Sequence, residues 1–134
     1  MINYTEKGIR LHEAILAAGY RLWQENGIWK STNDVAVQAI IDAYDPLPDI
    51  KADAIAAIKA DGLARINAIY PAIDSFDWIS FFADFWQSIA SAAHAPVANL
   101  TTVINIYTAG KTAVGQVNAA TDAAGVAAVI PQWP

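Results

Sequence analysis

Few residues in this chain could do chemistry, and their spacing argues against most of what their types suggest. His12-Glu13 starts like a zinc-binding helix, but position 16 is Leu16, so the second imidazole that would share the face is missing. A surface pair on a first helix is the simpler reading. His94 falls at the expected end of a helix, where an imidazole meets exposed carbonyls and the negative end of the dipole, so it reads as a cap. Asp77 and Asp84 lie on one helical stripe. About 10.5 Å of rise separates them at 1.5 Å per residue, too far to share acid-base work, so they read as solvating charges. Ala109-Gly110-Lys111-Thr112 ends like a phosphate-binding loop, but that loop needs a glycine where this chain has Asn105. Residues 45–49, DPLPD, are acidic but lack the glycine and terminal glutamate of a calcium loop. Cysteine is absent, which removes thiolate nucleophiles, thiolate metal sites and disulfides. No recognisable carboxylate partner orients either histidine. These residues point to no enzyme activity, no cofactor and no metal.

The elements that would carry these side chains read as mainly α with a small β component (α+β). Residues 8–18 put Leu11, Ile15 and Ala18 on one helical face, with Gly19 where a left-handed C-terminal residue belongs. The next run, YRLWQENGIWKS, is extended on either side of Asn26-Gly27, the pair best suited to a type I′ turn. That register sets Glu25 against Ile28, Gln24 against Trp29 and Trp23 against Lys30, so the tryptophans occupy opposite faces. Thr32 or Asn33 can cap a second helix whose stripe is Val37, Ile40, Ile41 and Tyr44. Asp45-Pro46 ends it, and 45–49 reads as a stiff elbow.

Past the elbow, Ile55, Ile58, Gly62, Ile66 and Ile69 define a third helix ending at Tyr70-Pro71, with Asp61 and Arg65 paired outside. A strongly aromatic helix is expected over 75–95, capped by Asp74 or Ser75. A last helix over about 98–124 carries Leu100, Val103, Tyr107, Gly110, Val114, Val117 and Thr121 at steps of three and four. The expected organisation is an N-terminal helix-β-hairpin-helix module over 1–48, followed by a three-helix antiparallel bundle over 49–134. The two could form one continuous domain. The tail, IPQWP, is too rich in proline to continue the helix, leaving Trp133 as a loose anchor.

Charge narrows the function. The chain has 134 residues and a net charge of −5, with eight Lys and Arg thinly spread, which argues against a nucleic-acid surface. The start lacks the basic and apolar regions of a secretory signal. The aromatic stretch is long enough to span a bilayer, but Asp77 and Asp84 would each cost roughly 2.5–3.5 kcal/mol at its centre. After Arg65 only Asp74, Asp77, Asp84, Lys111 and Asp122 are charged. A half-chain so depleted is expected to hide part of its exterior against other chains; a coat of Ala, Ser, Thr and Asn is the alternative. Aromatic anchors for such contacts are Trp23 and Trp29 on the hairpin, Trp78, Phe82, Phe85 and Trp86 on the aromatic helix, Tyr107, and Trp133. For the hairpin tryptophans the competing reading is that flanking helices cover both faces, since a two-stranded ribbon is marginal alone.

The order of pieces carries a resemblance. The segment GIRLHEAILAAGYRLWQENGIWKSTNDVAVQAIIDAYDPLPD, then a helix, an aromatic helix and a closing YTAGKTAVGQVNAAT stretch ending in WP, resembles the small proteins encoded beside tail-fibre genes in tailed bacteriophages. The likeness rests on the hairpin AGYxLWQxNGxW and the elbow AIIDAYDPLPD, and it brings no catalytic motif. It implies a non-enzymatic structural protein of the virion tail that oligomerises or docks on a larger tail or fibre protein. An alternative is a tail-fibre assembly chaperone in the host cytoplasm, and a third is a small membrane-active lysis protein.

Overall fold

A computed structural model describes residues 2–4, 7–70, 73–77, 81 and 97–134. The protein is mainly helical, with one two-stranded antiparallel hairpin and a helix-hairpin-helix start. It divides into two compact units, Met1–Asp49 and Ile50–Pro134.

In the first unit, α1 (Ile9–Ala17) buries Leu11 and Ile15 completely. It ends in a Schellman motif. Gly19 takes φ 85° and donates to the Leu16 carbonyl at 2.9 Å, while the Tyr20 N–H reaches the Ile15 carbonyl at 3.2 Å. Ala18, expected on the apolar face, is the exposed C-cap instead. The chain then enters β1 (Leu22–Glu25) and β2 (Ile28–Ser31). Asn26 and Gly27 both have positive φ, 51° and 78°, as a type I′ turn requires. The register pairs Trp23 with Lys30, Gln24 with Trp29 and Glu25 with Ile28.

Helix α2 (Asp34–Ala43) is capped by Asn33, whose side chain accepts from the Ala36 N–H at 3.1 Å. Val37 and Ile41 are its buried residues. With Ile2, Leu11, Ile15 and Leu22 they form the core of this unit, and Ile40 and Tyr44 pack around it. Only part of 45–49 is an elbow, because α3 (Leu47–Asn67) already starts at Leu47. Pro48 sits in its first turn, where no intrahelical donor is needed, and the Asp45 carboxylate accepts from the Leu47 N–H at 2.9 Å.

In the second unit α3 buries Ile58, Gly62 and Ile66 and stops at Asn67, short of the expected Tyr70. Tyr70 closes its end by donating its N–H to the Ile66 carbonyl at 2.8 Å. The long terminal helix expected over 98–124 is two helices, α4 (Val97–Ala119) and α5 (Ala123–Ala127). Asp122 divides them: its backbone is extended and its carboxylate accepts from the Gly125 N–H at 2.6 Å, starting a new helix rather than continuing the old one. Val103, Ile106, Tyr107, Gly110, Ala113 and Val117 face inward from α4, whereas Val114 is half-buried and Thr121 exposed. Of the expected aromatic helix, 78–80 and 82–95 lie outside the described residues, and so does the three-helix count that depends on it. Its expected start at Ser75 is corrected, since the Ser75 hydroxyl accepts the Asp77 N–H at 3.1 Å and 75–77 form a turn.

One residue of that turn organises the unit. The Phe76 ring is buried and lies against both Gly62 of α3 and Gly110 of α4. A methyl group at Gly62 would stand 2.7 Å from the ring, and one at Gly110 2.6 Å, closer than carbon atoms approach. Around Phe76 the Phe81 and Tyr107 rings stack at 4.2 Å between centroids, and Tyr107 stands 5.5 Å from Phe76. Ile66, Tyr70, Ile73, Val103 and Ile106 complete the core.

Candidate interaction surface

The hairpin has two unlike faces because its residues alternate sides. Leu22, Gln24, Trp29 and Ser31 share one face by register, and on it Leu22 is buried while Trp29 packs half-buried on the core. The Trp29 ring stands 4.5 Å from that of Tyr4, tilted by 46°. Trp29, expected as a partner anchor, is therefore a cover on the core of its own unit. The other face carries Trp23, Glu25, Ile28 and Lys30. Here Trp23 is 43% exposed and Ile28 46%. Lys30 and Glu25 form an ion pair diagonally across the strands, both half in solvent. Flanking helices thus cover one face of the ribbon and leave an apolar pair of side chains on the other.

Short-range bonds hold this ribbon in place. The Arg21 N–H donates to the Thr32 hydroxyl at 3.1 Å, and the Thr32 N–H returns to the Arg21 carbonyl at 3.1 Å. Ser31 donates to the Asp34 carboxylate at 2.8 Å, which lowers the Asp34 pKa below its ordinary value. At the opposite end of α2, the Lys7 ammonium donates to the carbonyls of Ile41 at 2.7 Å and Tyr44 at 3.1 Å, supplying the positive cap that a helix C-terminus favours. Tyr44 donates its hydroxyl to Asp49, whose carboxylate also meets Arg10 at 3.2 Å. The hydrogen bond to Asp49 favours neutral tyrosine and pushes the Tyr44 pKa up to about 12. This cluster is a clasp joining α1, α2 and the first turn of α3. Its groups are engaged with one another.

The remaining expected anchors fall elsewhere. Tyr107 is buried in the core of the second unit, and desolvation there raises its pKa. It packs that core rather than offering a surface. Trp133 is no loose anchor either: it packs half-buried on the same core, with the Arg65 guanidinium 5.1 Å from its ring centroid. Trp78, Phe82, Phe85, Trp86 and His94 lie outside the described residues. His12 is half-buried on α1 beside exposed Glu13. Lys111 lies mid-helix on α4, and the preceding Gly110 accommodates Phe76 rather than a phosphate. Asp77 is paired with Lys59 at 2.6 Å, and that hydrogen bond lowers its pKa.

The charge-poor half is partly explained by its described surface. The outer side of α4 presents Thr101, Thr102, Asn105, Thr108, Thr112 and Gln116, with half-exposed Ile104 among them. Uncharged polar groups solvate it, as the alternative reading expected, so low charge alone calls for no covering chain there. Among the described residues no helix is long and apolar enough to cross a membrane, and no three His, Asp or Glu side chains gather to hold a metal. A comparison with protein-family models, with curated proteins and with solved structures finds no match.

Proposed function

We propose that this protein is a non-enzymatic structural component of a bacteriophage tail, and that it works by docking the outer face of its hairpin against another chain of the assembly. The observation that carries the docking is the exposure of Trp23 and Ile28, diagonal to each other across the Glu25–Lys30 pair, on one face of a ribbon whose other face is already seated. Tryptophan flanked by a solvated ion pair has the composition of an interface hot spot with a polar rim. The tail assignment rests on the sequence resemblance.

The test is the protein composition of purified tail particles by quantitative mass spectrometry. The reading expects this chain in the particles at a fixed ratio to a tail protein. Absence from the particles, together with binding to a fibre protein before assembly, would replace it with the chaperone reading.

A further inference from the structure

The second unit carries a groove of about 560 Å³ between one side of α4 and the C-terminal segment. That volume falls in the ~300–1,000 Å³ range of ligand-holding clefts. Ala109 and Ala113 contribute small apolar surface, and the C-terminal segment contributes Pro131 and Ile130, the latter 70% exposed. None of the described residues that line it is charged, so none of them offers an ion-pair partner to nucleic acid, phosphate esters or carboxylates. Among the described residues no aromatic ring lines it either, so none of them offers a sugar a face to stack on.

What the groove offers is uncommitted hydrogen bonding. The Thr108 hydroxyl is already spent on the Ile104 carbonyl at 2.8 Å, and the Gln132 amide on the Ile130 carbonyl at 3.1 Å. The side chains of Asn105, Thr112 and Gln116, on the same wall, make no hydrogen bond to another protein group among the described residues. A carboxamide both donates and accepts, as a peptide bond does, so it can pair with the main chain of a neighbour. From Asn105 to Gln116 the helix rises about 16 Å at 1.5 Å per residue. An extended chain covers that distance in about five residues at ~3.3 Å each.

We propose that this groove binds an extended, uncharged peptide segment of another protein, its main chain held by Asn105, Thr112 and Gln116 and its apolar side chains covering Ile130 and Pro131. An alternating polar and apolar sequence fits, because every second side chain of an extended strand faces the same way. The site lies on a different unit from the Trp23 face and stands or falls separately from the docking reading.

The test is a titration of the ¹⁵N-labelled full chain, followed by amide and side-chain NH₂ shifts, with an end-capped peptide of about six residues alternating asparagine and valine. Saturable shifts confined to 105–116 and 128–132 are expected. Asn105→Ala combined with Gln116→Ala should weaken binding about tenfold, each lost hydrogen bond contributing part of that. Both positions are exposed on a helix, where alanine is the better helix former, so lost binding would not be lost fold. A peptide with glutamate in place of asparagine should bind at least about tenfold more weakly. The Trp23→Lys variant should bind the asparagine peptide as the parent does. The proposal is overturned by the absence of saturable shifts, by equal binding of the glutamate peptide, by shifts centred on the hairpin, or by maltohexaose occupying the groove in the peptide's place.

Discussion

At the residue scale the arrangement turns on which aromatic rings are used up inside the protein. Phe76 leaves no room for a methyl group at Gly62 or Gly110, and this sets two opposing effects against each other. Alanine in a helix interior is favoured over glycine by about 1 kcal/mol. An added methyl against a buried ring costs typically about 1–3 kcal/mol. With the ring pressed from both sides, the second effect should win. Gly62→Ala and Gly110→Ala should each lower stability by about 1–2 kcal/mol in urea unfolding. Phe76→Leu should recover part of that loss in either background, and purely additive effects would show that the ring is not the obstacle.

The two hairpin tryptophans should separate in the same assay. Trp29→Ala removes a half-buried core cover and should cost about 2 kcal/mol, while Trp23→Ala should stay within about 0.5 kcal/mol of the parent. Equal losses at both positions would mean that the outer face is covered after all.

Tyr44 sets an alkaline limit on the clasp. Its folded pKa of about 12 is raised above the ordinary tyrosine value of 10.0, so the stabilisation is complete below pH 10 and is lost as pH rises through about 12. Denaturant midpoints followed upward from pH 9 should fall faster for the parent than for Tyr44→Phe, and parallel curves would show that the bond to Asp49 contributes nothing.

At the scale of elements, local signals in the sequence were enough where one element decides its own form. Leu11 with Ile15, Val37 with Ile41, the Asn33 cap and the Asn26-Gly27 turn all follow from spacing and backbone preference within a few residues. Replacing Asn33 with Ala should therefore cost about 1 kcal/mol, as loss of an N-cap does, read by urea unfolding. Boundaries set by competing caps were harder to read. Asp122 splits the last helix because its side chain serves a new N-terminus better than the old helix, and Pro48 belongs to a helix rather than an elbow because it sits where proline is tolerated.

The site was legible only in part. Alternation placed Trp23 and Trp29 on opposite faces, but which one meets the core depends on Leu22, which shares the Trp29 side. That signal was present in the sequence and lay in register rather than in composition. The wedge of Phe76 between two glycines far apart in the chain had no local signal, because its cause is tertiary. Nor did the free carboxamides of α4, which become a wall only when the C-terminal segment lies beside them.

At the scale of the whole molecule, the described charge-poor surface is solvated by threonine, asparagine and glutamine, so docking has to be argued from specific apolar side chains. In the first unit Trp23 and Ile28 share the outer hairpin face, and Leu16 and Val35 are exposed elsewhere. A membrane-active role would instead require the folded chain to partition into lipid. Co-sedimentation with vesicles of anionic and neutral phospholipid should leave it in the supernatant, and pelleting of the folded protein would favour the lysis reading.

The most direct test of the docking claim places a photo-reactive benzophenone side chain at position 23 in tail particles assembled from the altered protein, with position 39, exposed on α2, as the control. The account predicts a discrete cross-link from position 23 to another chain of the tail and little from position 39. Incorporation into the particle with no cross-link from position 23, or with equal cross-links from both positions, would contradict it.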